Sequence, residues 1–138
     1  MYKKMIKYTD YNGVEREEPH YFHLNKGEII LKVLSKNGGY QNYLNRLVSS
    51  NDQEEMLKVF NNYIDISYGV KSDDGLRFIK NDELLTNFKQ SEAYSELIFE
   101  LLTNEKSAQE FFDGILPAAL IAQATAQIER ANKENGHE

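Results

Sequence analysis

The sequence predicts a mainly helical α+β fold: an N-terminal β-hairpin packed on a compact bundle of about five to seven helices. Three observations predict it. Residues 2–24 alternate polar and apolar positions around an Asn12-Gly13 turn. Most of the remaining chain carries apolar residues at helical spacing behind cap residues. The 138 residues contain only 8 glycines and 2 prolines, few enough to leave long uninterrupted segments.

In the first strand Ile6 and Tyr8 share one face, and Lys3 and Lys7 the other. In the return strand Val14, Phe22 and Leu24 fall in phase opposite Glu15 and Glu17. Pro19 has no N–H to give a ladder, so it requires an edge position. The polar face should meet water, and the apolar face needs a cover. The next segment is expected to supply that cover. Asn25 and Glu28 have capping-box spacing ahead of KGEIILKVLSK, which stops at Gly38-Gly39.

Tyr40, Tyr43, Leu44, Leu47 and Val48 form an amphipathic stripe. Asp52 is placed to cap QEEMLKVFNNYIDIS, with Gly69 ending that helix in the left-handed conformation. VKSDDGLRFIK breaks the helical pattern, with a turn at SDDG and a short strand or docked loop at LRFI. DELLTNF reads as a short helix. Ser91 caps EAYSELIFELLT, whose stripe is Tyr94, Leu97, Ile98 and Leu101, and Asn104 caps EKSAQEFFDGIL. Pro117 suits the first turn of the last helix. The whole reads as a single domain: hairpin 1–24, helical core 25–115, and a C-terminal helix 116–138 suited to association. That last helix is Ala-rich, with Ile121, Ala124, Thr125 and Ile128 on one face.

With no Cys, disulfides, zinc thiolate sites and cysteine nucleophiles are excluded, and a cytoplasmic setting is expected. The net charge of −6 and scattered basic residues argue against nucleic-acid binding. No run approaches the roughly 18 apolar residues of a membrane span. His20 and His23 in HYFH point to opposite faces of a strand, so they make a poor metal pair. SDDG lacks the ligand spacing of a calcium loop. The carboxylates lie in solvated runs, with no pair set for acid–base work. No enzyme activity and no cofactor are expected. Interaction with other proteins is the remaining class. Tyr8, Tyr11 and Tyr21 on the hairpin, and Ile121, Ala124 and Ile128 on the last helix, are the candidate contact residues.

The blocks YTDYNGVERE, SYGVKSDDGLRFIK and AYSELIFEL resemble the tail assembly chaperones of long-tailed, siphovirus-type bacteriophages and prophages of Gram-positive hosts. The resemblance runs from about residue 5 to residue 117, and its motifs are structural, not catalytic. It implies a protein that holds the aggregation-prone tape measure protein in the host cytoplasm until major tail (tube) protein polymerises around it. It further implies homo-oligomers, a frameshifted longer form that recruits tube protein, and absence from the mature virion. The alternative is a tail-completion or connector protein retained in the virion. Pro19, His20 and His23 depart from the acidic or small polar residues usual in that strand.

Overall fold

The computed structural model describes residues 1–34 and 53–117, together with residues 119, 122, 123, 126 and 130. The stripe at 40–48, the Gly38-Gly39 stop, the Asp52 cap, and Ile121, Ala124, Thr125 and Ile128 lie outside them. The described residues fall into two compact units, one holding residues 1–23 and 53–115, the other residues 24–34 and 116 onward.

The first unit is α+β. Strands β1 (Tyr2–Thr9) and β2 (Glu15–Phe22) pair antiparallel along their whole length, from Tyr2 opposite Phe22 to Thr9 opposite Glu15. The turn is a three-residue loop, not the two-residue turn that Asn-Gly favours. The Gly13 N–H donates to the Asp10 carbonyl at 3.0 Å, the Asp10 N–H donates to the Val14 carbonyl at 2.9 Å, and only Gly13 takes positive φ (81°). The Asp10 carboxylate stabilises the loop by accepting from the Asn12 and Val14 N–H groups. Val14, expected on the apolar face, ends outside the strand and is exposed.

Helix α2 (Gln53–Ser67) leads directly into β3 (Tyr68–Lys71), which pairs with β2 at Tyr21–Gly69 and Phe22–Tyr68. Strand β4 (Phe78–Ile79) closes an antiparallel sheet in the order β1-β2-β3-β4. LRFI therefore does contribute a strand. Gly69 is not the left-handed helix stop. Among the described glycines only Gly13 and Gly75 take positive φ, and Gly69 sits inside β3. Its lack of a side chain serves close approach instead: a Cβ there would lie 2.6 Å from the Ile79 carbonyl oxygen. At SDDG the Asp74 carboxylate accepts from the Ser72 hydroxyl at 2.6 Å and the Leu76 N–H at 3.0 Å, an ordinary surface turn.

Three helices complete the unit. Asn81 caps α3 (Asp82–Lys89) by accepting from the Leu84 N–H at 2.8 Å. Ser91 precedes α4 (Glu92–Thr103) in the cap position, but its hydroxyl donates backwards to the Phe88 carbonyl instead of capping. Asn104 caps α5 (Glu105–Ile115) through the Ser107 N–H. Of the α4 stripe, Leu97 and Leu101 are buried while Tyr94 and Ile98 are half-buried, and Ala93, outside that stripe, is buried as well.

Within this unit the apolar face of the hairpin is covered by α4 and α5, from the far end of the sequence. The fully buried ring of Phe22 is the meeting point. Its centroid lies 5.4 Å from Phe111, 5.6 Å from Tyr68, 6.1 Å from Phe88 and 6.3 Å from Tyr2. Tyr68 stacks on Phe88 at 4.2 Å.

In the second unit Asn25 and Glu28 form the expected capping box at the start of α1 (Lys26–Ile29), which continues as a π-helical stretch over Ile30–Leu34. Residues 119, 122, 123, 126 and 130 are helical and exposed.

Gly114 tests the packing of α5 on β1. In a helix, alanine is ordinarily the better residue by about 0.5–1 kcal/mol. Here a Cβ would lie 2.3 Å from Tyr2 Cδ1 and 2.9 Å from Tyr2 Cβ, close to the root of a held ring. Gly114→Ala should therefore destabilise the protein by about 1–3 kcal/mol in urea unfolding, against the helix propensity.

Candidate partner-binding surface

The sheet has two edges of unequal length. β4 has two residues, whereas β1 has eight, and among the described residues no strand pairs with its outer side. Which backbone groups face outward follows from the turn. Bonded and non-bonded pairs alternate in an antiparallel ladder. Counting from the bonded pair Asp10–Val14 makes Thr9–Glu15, Lys7–Glu17, Met5–Pro19 and Lys3–Tyr21 the non-bonded pairs. Lys3, Met5, Lys7 and Thr9 thus turn both N–H and C=O away from β2. The same phase removes the conflict at Pro19. Its nitrogen faces away from β1, and β3 pairs only with Tyr21 and Phe22, so no ladder bond is lost.

A groove of about 510 Å³ runs along this edge. Four consecutive β1 residues, Lys4 to Lys7, line it, so it follows the backbone and not one face of the strand. Its other wall is α4, with Glu96, Phe99 and Glu100. A second hollow of about 540 Å³ is lined by Lys7, Tyr8, Thr9 and Glu96. Phe99 is 67% exposed and Met5 46% exposed, so two large apolar groups flank the groove in water. An ion pair between Lys4 and Glu100 ties strand to helix beneath it. Lys3 and Lys7 project from the outer face.

The three hairpin tyrosines are placed differently, and of them Tyr8 lines the second hollow. Tyr8 lies on the inner face, half-buried, and its hydroxyl donates to Glu18; that bond, with some burial, pushes its pKa up to about 12. Tyr11 is exposed in the turn, and its hydroxyl donates to the Gln90 carbonyl at 3.2 Å, joining the turn to the α3–α4 connection. The nearby Glu92 carboxylate raises its pKa. Tyr21 is half-buried on the outer face beside Lys3. Arg16 bonds Asp10 at 2.6 Å and holds the Asp10 carboxyl below its usual range. Met5 and Phe99 were not among the residues singled out in the sequence. Phe99 carried a signal: it stands off the α4 stripe, between Glu96 and Glu100.

His20 and His23 have separate surroundings. The His20 ring lies on the inner face, with Nδ1 3.2 Å from the Tyr68 hydroxyl and its centroid 4.8 Å from Phe88. The His23 ring meets Phe78 edge-on. Among the described residues no three His, Asp or Glu side chains come together as a metal site, and no helix is long and apolar enough to cross a membrane.

An unpaired strand edge flanked by apolar side chains is chemically able to accept an added strand from another polypeptide. The model of the phage tail assembly chaperone family matches residues 1–138. The chain belongs to the phage tail assembly chaperone family. The match includes the segment after Pro117, where the motif resemblance ended. No curated protein and no solved structure is significantly similar to the chain.

Burial lowers the His20 pKa, opposed in part by the Glu18 charge. The contribution of His20 to stability is therefore complete above the ordinary pKa of 6.5 and falls as the pH drops below it, because the unfolded chain binds the proton first. Urea unfolding at pH 7.5 and pH 5.5 should show lower stability at the acidic value, and His20→Phe should shrink that difference.

Proposed function

We propose that this chaperone binds the tape measure protein of its phage, keeps it soluble, and helps bring tail tube protein to it during tail assembly. Family membership over the whole chain is the observation that carries this reading. The open β1 edge with Met5 and Phe99 beside it supports it, because a client with exposed apolar segments needs such a surface. In this reading the protein works without a catalytic group or cofactor, in the host cytoplasm, in several copies per client, and leaves before the virion is complete. A longer form of the same chain would add the contact to tube protein. The net charge of −6 suits the task, since it keeps a loaded complex in solution.

The test is co-expression with the tape measure protein of the same phage, followed by affinity capture and mass determination. A soluble complex with several copies of this chain per client is expected. An insoluble client, together with this chain in purified virions, would overturn the reading in favour of a tail-completion or connector protein.

A further inference from the structure

The charges along β1 restrict what can occupy its open edge. The strand carries Lys3, Lys4 and Lys7 and no acidic residue. Lys4 points inward and is neutralised by Glu100. Lys3 and Lys7 lie on the outer face, exposed, Lys3 opposite Tyr21 and Lys7 opposite Glu17 on β2, and neither forms an ion pair among the described residues. Met5 lies midway between them on the same face.

Two copies of this edge pair badly. Antiparallel pairing of β1 with β1 about Met5 sets each Lys3 opposite a Lys7, and sliding it by two residues sets each Lys3 opposite Thr9 and each Lys7 opposite Met5, with no acidic strand residue to answer either lysine. Like charges directly opposite on a sheet are destabilising, and edge lysines are a common guard against such pairing. The same lysines favour a strand with acidic side chains at their spacing. An added antiparallel strand places one residue opposite each of Lys3, Met5 and Lys7 on the outer face. Its alternate residues turn inward, where Phe99 offers apolar surface.

We infer that the β1 edge is a docking site for an extended segment of another protein, with two acidic residues four apart, an apolar residue midway between them, and a further apolar residue on the opposite face toward Phe99. The segment adds as a fifth strand. The outward N–H and C=O groups of Met5 and Lys7 supply the backbone bonds, and Lys3 and Lys7 select the acidic side chains. The inference deepens the proposed function and rests on it only for the partner's identity.

The experiment uses the full chain and a capped peptide with two glutamates at that spacing and valines at the apolar positions. Binding is followed by fluorescence anisotropy and by amide hydrogen exchange. The peptide should bind and slow exchange at the Met5 and Lys7 amides. Lys3→Glu with Lys7→Glu should weaken it about tenfold, and a lysine version of the peptide should recover binding to that variant. Met5→Pro removes an outward N–H without removing a β1–β2 bond, so it should abolish binding while the thermal midpoint stays near that of the parent.

No binding, or binding without added protection at Met5 and Lys7, overturns the inference. So does concentration-dependent protection of those amides without peptide, which would make a second copy the occupant. Co-expression separates the two readings. If the charge variant solubilises tape measure protein as well as the parent does, the docking inference fails and the chaperone reading stands. If the peptide binds but the parent never holds tape measure protein, the reverse holds.

Discussion

The ring of Phe22 sits where three strands and two helices meet. Its neighbours across the ladder are Tyr2 on β1 and Tyr68 on β3, and beneath it lie Phe88 of α3 and Phe111 of α5. Such rings bury much area and prefer tilted or edge-to-face contacts, which set the angle between layers as well as adding stability. Tyr2 then decides where α5 can lie, because Gly114 leaves room for its ring and no other residue would. Tyr68 fixes where α2 gives way to strand, since it must both pair with Phe22 and stack on Phe88.

The polar hairpin at the front of the chain follows from this arrangement. Its inner face is committed to the aromatic cluster at the end away from the turn, and to Ile6, Tyr8 and Glu18 nearer the turn. Its outer face has no layer over it within this unit and carries Lys3, Lys7, Glu15 and Glu17. Charges there keep the strand in water while leaving its edge able to bond. A long apolar edge would aggregate, whereas a charged edge admits only a partner that answers the charge.

Membership of a chaperone family gives that restraint a purpose. A protein that holds an aggregation-prone chain must offer apolar surface without becoming a client itself. On the proposed reading, the described surface meets both demands by spacing its apolar groups. Met5 and Phe99 flank a groove whose lining also carries Lys4, Lys7, Glu17, Glu96 and Glu100.

Much of this was determined by sequence alone, wherever the deciding physics is local. The Asp10–Gly13 turn, the caps at Asn25 and Asn104, the burial of Leu97 and Leu101, and the outward-facing Lys3 and Lys7 all depend on residues within a few positions of one another. Tertiary structure alone decided the rest. Gly69 reads locally as a helix stop, but a carbonyl ten residues away requires its missing side chain. Within the hairpin's own unit the cover is α4 and α5, which no local pattern records, because Tyr2, Phe22 and Phe111 match across about a hundred residues of chain. Ser91 looks like a cap until the Phe88 carbonyl claims its hydroxyl. The open edge of β1 was the least legible of all. An edge is defined by the strand that is not beside it, and that depends on sheet order, which no local pattern records.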